Sequence, residues 1–200
     1  IQIAGLSLNL ALVPIALGAI LFGPAGGALL GLICGFIVTM YGVTGAEGFT
    51  FYLFNASPLA TVLICLVKTT AAGAVAGAAY WLIAKKNKVV AVFVTSALVP
   101  IVNTGIFAIG CFIIYDDILS YLSMYGLDYS AENAFYVIFV VVITWNFFIE
   151  LLTSLLLAPA VATVTRIVEK QIVKNNKKHK VAVNTENSDN ITDIKNDNLS

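Results

Sequence analysis

Residues 8–41 read LNLALVPIALGAILFGPAGGALLGLICGFIVTMY, two long apolar runs joined by Phe22-Gly23-Pro24. Each run approaches the roughly 20 apolar residues that cross a hydrocarbon core. Gly-Pro between them is a turn signal, with Pro24 suited to the first turn of the second helix. The stretch predicts a membrane helical hairpin. Gly27, Gly31 and Gly35 recur every four residues, so they form a smooth strip on one helix face where a neighbouring backbone can approach closely. A phosphate-cradling loop is excluded, because no Lys followed by Ser or Thr comes after these glycines.

The rest of the composition agrees. Of 200 residues, 60% are hydrophobic and 11% charged, and the mean hydropathy is +0.94; soluble domains carry about a quarter charged residues. No segment alternates polar and apolar over barrel-strand lengths, so helices are expected to satisfy the backbone in the bilayer. The expected fold class is an all-α integral membrane protein, a polytopic helical bundle. Cys34, Cys65 and Cys111 all fall inside apolar runs without metal-ligand spacing, which fits buried thiols. The single histidine, His179, lies in a tail rich in Lys and Asn. A zinc site or a nucleophile–histidine dyad within the membrane is therefore not expected, nor is any cofactor.

Further spans follow in order. Residues 1–7 read as a loop entering the first helix, and residues 42–58 as a loop with Phe49, Phe51, Tyr52 and Phe54 clustered in it. Residues 59–84 form a third span with Gly73 and Gly77, and Ala72 and Ala76, each pair four apart for close packing. A Lys85-Lys86-Asn87-Lys88 turn leads to a fourth span, 89–115, in which Pro100 should kink the helix one turn before Asn103. Residues 116–133 are an acidic loop, and residues 134 to about 168 a fifth span. Residues 169–200 are too polar to bury a core and are expected to be a disordered tail, so the domain organisation is a membrane domain over 1–168 and a tail over 169–200. The basic clusters at Lys85 and at 166–180 belong on the cytoplasmic side, with the acidic loop outside.

Two ionisable residues fall within these spans. A charge at the bilayer centre costs at least about 2.5 to 3.5 kcal/mol, which makes such a residue a functional candidate. Lys68 lies about ten residues into the third span and Glu150 about sixteen into the fifth, placing both near mid-depth at 1.5 Å per residue. Mutual pairing of the two is the structural alternative. Asn146 shares a helix face with Glu150, Asn103 follows Pro100, and Trp145 lies beside the Asn146 face. A cavity lined by Lys68, Asn103, Asn146 and Glu150, with Trp145 and loop aromatics at its edge, suits a small molecule with polar groups and an apolar body.

The runs LNLALVPIALGAILFGPAGGALLGLICGF, PLATVLICLVKTTAAGAVAG, VPIVNTGIFAIGC and WNFFIELLTSLLLAP resemble the substrate-binding S component of energy-coupling factor (ECF) transporters, most closely its pantothenate- and folate-like branch. The resemblance implies a six-helix plasma-membrane protein with a cytoplasmic C-terminus. It would capture one vitamin, with pantothenate as the best guess, and pass it inward with a transmembrane coupling protein and two cytoplasmic ATPases. It implies a pocket taking Asn9 from the first outer loop, a lid over residues 49–55 that includes Asn55, and Lys68, Asn103, Asn146 and Glu150 from below, with no catalysis and no nucleic-acid partner. The family's first helix, which docks on the coupling protein, has no counterpart among the five spans expected in this chain, so either the sequence is N-terminally truncated or the protein has lost its docking helix. A proton-driven secondary transporter using Glu150 is the alternative, although no internal repeat supports it.

Overall fold

The computed structural model describes residues 2–3, 6–7 and 11–197, with side chains described from 11 to 168 and at 170, 171, 174 and 175. Two compact units divide at 162/163. Gln2–Ile3 and Leu6–Ser7 pair as a minimal antiparallel ladder where a plain loop was expected. The remaining elements are α1 (Leu12–Thr44), α2 (Gly48–Ala56), α3 (Pro58–Ala84), α4 (Lys88–Ile113), α5 (Tyr115–Ser123), α6 (Ala134–Tyr136), a π-helical stretch Val137–Ile143, and α7 (Thr144–Asp197). Four apolar helices among the described residues are long enough to cross a membrane: Leu12–Thr44, Pro58–Ala84, Lys88–Ile113 and Ala134–Val168. Their outward surfaces carry Phe22, Leu29, Leu59, Leu82, Ile113 and Leu156, all exposed. Apolar surface on this scale belongs against lipid.

The first of these four is itself folded back. Gly23 has φ 71° and ψ −158°, a region open essentially to glycine alone, and it breaks α1 into legs 12–22 and 24–44. The Cys34 thiol comes within 3.6 Å of the Ala11 carbonyl oxygen; on a straight helix these positions would stand about 35 Å apart. The expected hairpin is therefore present. Its second leg, about 31 Å long, is a full span, whereas the 11 helical residues of the first reach about 16 Å. One side of that short leg packs into the bundle. Its Leu12, Ile15, Ala16 and Ala19 are packed with Ala72 and Ala76 of α3 and Val99 of α4, and its Ile20 with Tyr80, Ala91, Val92 and Val161.

The glycine strip has the partner its spacing called for. A Cβ on Gly31 would lie 2.7 Å from the Thr69 carbonyl carbon and 2.9 Å from Thr70 Cα; one on Gly35 would lie 2.7 Å from the Cys65 oxygen, and one on Gly77 2.6 Å from the Gly23 carbonyl carbon. Gly27 and Gly73 face each other in the same way. Residues 23, 27, 31 and 35 thus meet 77, 73, 69 and 65 in an antiparallel seam in which backbone touches backbone. Only residues without a Cβ, or with a small one, permit that approach. The seam fixes α3 against the hairpin and so fixes where Lys68, next to Thr69, must point.

Both expected loops contain helices. Glu47 caps α2, its carboxylate accepting from the amides of Phe49 (3.0 Å) and Thr50 (2.8 Å) and from the Thr50 hydroxyl. The acidic segment forms α5, with Asp116 and Asp117 in its first turn, where a negative charge is favoured by the helix dipole. α4 runs unbroken through Pro100. α7 continues through the polar residues after 168 to Asp197.

Candidate functional site

The described part of the membrane bundle contains a cavity of about 340 Å³, at the small end of the ~300–1,000 Å³ range of ligand pockets. α3 lines it with Thr61, Ile64, Cys65 and Lys68, which recur on one helix face; α4 adds Asn103, Thr104 and Phe107; α7 adds Asn146 and Glu150. The π-helical stretch contributes Val142 and Ile143, and the second leg of α1 contributes Ile37, Val38 and Tyr41. Lys68 stands ten residues from the start of α3 and Asn103 ten from the end of α4. Both therefore lie about 15 Å in from the same end of the bundle.

The four polar residues that stood out in the apolar runs are thus brought together. Asn103 and Glu150 are each only 3% exposed. The Asn146 amide donates to Glu150 Oε1 at 3.2 Å, the i, i+4 pairing their spacing predicted. Lys68 does not pair with Glu150 among the described residues; its ammonium lies over the Phe107 ring, 4.6 Å from the centroid, where the ring's quadrupole attracts a desolvated cation. Glu150 Oε2, Asn103 Oδ1 and Thr61 Oγ1 are buried without a hydrogen-bond partner among the described residues. Orphaned buried polar atoms cost about 1–3 kcal/mol each, a cost that a polar ligand in the cavity would remove.

The other expected site residues are placed elsewhere. Trp145 is 73% exposed on the outer surface, because it precedes Asn146 by one residue and so points about 100° away. Asn55 is exposed and donates to the Phe51 carbonyl of its own helix. Asn9 lies outside the described residues. Conversely, Glu47, Thr61, Thr104 and Phe107 line the cavity although nothing in the sequence singled them out. A carboxylate in a Gly-rich segment reads as solvated, and Thr is an ordinary packing residue in membrane helices.

One end of the cavity is closed by α2, through Phe49, Thr50 and Leu53. The Phe49 ring meets Phe107 at 6.5 Å and Tyr121 at 5.1 Å, both edge-on, and Tyr52 meets Tyr121 at 5.3 Å. The Ser57 hydroxyl donates to Asp117 Oδ2 at 2.5 Å, tying the α2–α3 junction to α5. Behind this layer, burial pushes the Tyr121 hydroxyl well up from its ordinary titration range, and its contact with the Tyr125 hydroxyl at 3.4 Å adds to the effect. Asp128, in the exposed turn beyond, is held below the usual carboxylate range by the Ser130 hydroxyl and amide. Among the described residues, no group of three or more His, Cys, Asp or Glu is placed to hold a metal ion.

These features define a polytopic helical protein with a partly open cavity of mixed polar and apolar lining among helices long and apolar enough to span a membrane. No protein-family model, curated protein or solved structure matches the chain.

Proposed function

We propose that this chain is the substrate-binding S component of an ECF-type importer, a subunit that captures one small vitamin-sized solute at the plasma membrane. The observation that carries this reading is the meeting of Lys68, Asn103, Asn146 and Glu150 from three helices in one cavity under the α2 layer. Intramembrane polar groups are costly and mark substrate pathways. A cavity of this size and mixed character suits a ligand with an apolar body and a few fixed polar groups.

In this reading the α2 and α5 end faces outward and the Lys85 turn and C-terminus face the cytoplasm, in keeping with the distribution of basic residues. Lys68 meets a ligand carboxylate, because a charged pair in a dry site contributes far more than a surface pair. The amides orient the remaining polar groups, and α2 serves as the lid. The chain performs no chemistry of its own. Energy comes from a transmembrane coupling protein and two cytoplasmic ATPases.

The test is solute uptake into cells or vesicles holding the chain with and without the coupling protein and ATPases. Uptake only with the partners, lost in Lys68→Met, is the expected outcome. Uptake that persists without them and collapses with the proton gradient would instead establish a proton-driven secondary transporter. Glu150, a buried carboxylate with one oxygen unbonded, is the group such a transporter would use.

A further inference from the structure

The cavity lining holds one ammonium, Lys68, and two carboxylates, Glu47 and Glu150, and among the described residues Lys68 and Glu150 each have a separate partner. Lys68 is drawn onto the face of Phe107, and Glu150 is tethered through Oε1 to the Asn146 amide. Glu47, the other carboxylate in the lining, is already satisfied, since its oxygens accept two backbone amides and a hydroxyl at the start of α2. Both of its oxygens are thus already engaged. What the cavity leaves open to a ligand is therefore the Lys68 ammonium and, among the described residues, the unpartnered Glu150 Oε2. Asn103 Oδ1 is a second pure acceptor, equally buried and equally unpartnered.

From this pairing we infer that the ligand of the cavity is a zwitterion, a small molecule carrying both a carboxylate and a cationic N–H donor such as a primary ammonium. The inference rests on the binding-subunit reading above and narrows its substrate class. An ammonium carries three donors and accepts nothing, so it suits acceptor-only oxygens such as Glu150 Oε2, which a purely anionic ligand would oppose with negative charge. The ligand carboxylate meets Lys68. The apolar body lies among Phe49, Ile64, Val142 and Ile143. Lys68 and Glu150 then each gain a counter-charge, and the ligand itself brings no net charge out of water. A simple anion would leave Glu150 unpaired or force it to take a proton, and a simple cation would leave Lys68 unpaired. Truncating one side of a buried charge pair weakens binding by at least about 30-fold. Single-charge ligands should lose on that scale.

The experiment uses the full chain in detergent, with binding read by calorimetry and by thermal shift. The panel holds zwitterions (L-tryptophan, L-phenylalanine, β-alanine), anions (pantothenate, nicotinate, biotin), cations (thiamine, choline) and neutral compounds (riboflavin, pyridoxine). The expected result is that binders come from the zwitterions, and that the N-acetyl and methyl-ester derivatives of the best one each bind at least about 30-fold more weakly. In Glu150→Gln the preference for the parent over its N-acetyl derivative should collapse toward unity. The derivative series on the unaltered protein needs no variant, so a misfolded Glu150→Gln leaves the test intact. Binding of pantothenate or another single-charge compound in preference to every zwitterion would overturn the zwitterion assignment while leaving the binding-subunit reading standing. Binding of nothing in any class would overturn both.

Discussion

Replacing Gly31 by alanine adds one methyl group where the α1–α3 seam has no room for it. The new Cβ would lie 2.7 Å from the Thr69 carbonyl carbon and 2.9 Å from Thr70 Cα, and both are backbone atoms that cannot rotate away. The helices must part by about an ångström. A gap of that size forfeits a quarter to a half of each contact's well of about 0.1–0.2 kcal/mol. Over roughly 40 atom pairs along a seam of four residues a side, the loss is about 2 kcal/mol, within the ~1–3 kcal/mol typical of overpacking. Alanine also gains about 1 kcal/mol of helix propensity over glycine, which would obscure the effect in a single measurement. Gly105→Ala isolates it, because Gly105 is exposed on α4 with nothing within 4 Å of its would-be Cβ. It gains the propensity and loses no packing. The two variants should differ by about 2 kcal/mol, or roughly 4–8 °C in melting temperature for a domain of this size. A thiol-reactive fluorophore provides the assay, since Cys34, Cys65 and Cys111 are all buried and free and become labelled as the bundle opens. Equal melting temperatures for the two variants would refute the seam.

Further predictions concern α2 and the aromatic layer behind it. Glu47→Ala removes the acceptor of three donors at the start of α2; at about 1–2 kcal/mol for a lost cap, amide exchange across residues 48–56 should quicken about 5- to 30-fold, and unchanged exchange would rule out the capping role. The raised Tyr121 hydroxyl should appear in a spectrophotometric titration as a tyrosine ionising later than the ordinary value near 10. Its folded-state pKa exceeds its unfolded one, so its contribution to stability is complete below the unfolded value and is lost as pH rises through the folded one. Tyr121→Phe should remove the late step and Tyr125→Phe should shorten the delay, because burial remains in the second variant; an unaltered titration in Tyr121→Phe would contradict the assignment.

Some of this was legible in the sequence for plain physical reasons. Gly23-Pro24 announced a hairpin because no other residue tolerates the backbone angles found at Gly23. The four-residue glycine spacing announced the seam because contact between antiparallel helices repeats at nearly that interval. Lys68, Asn103, Asn146 and Glu150 stood out because polar groups in apolar runs need a reason to be there. What stayed hidden depends on contacts distant in sequence. Glu47 caps a helix that the surrounding glycines masked, and Thr61 and Phe107 gain significance only once α3 faces α4. Trp145 lies one residue from Asn146 yet is exposed, since a neighbour in sequence on a helix is not a neighbour on its face. The π-helical stretch Val137–Ile143 is a uniform β-branched and aromatic run with no local signal for its altered register.

The most direct test of the central claim, that the cavity of Lys68, Asn103, Asn146 and Glu150 holds one small solute, is native mass spectrometry of the protein purified in mild detergent from cells grown in rich medium. The account predicts a co-purifying mass of vitamin or amino-acid size at one per chain, diminished in Lys68→Met and in Glu150→Gln. A bare chain that remains bare when supplied with vitamins and amino acids would contradict it.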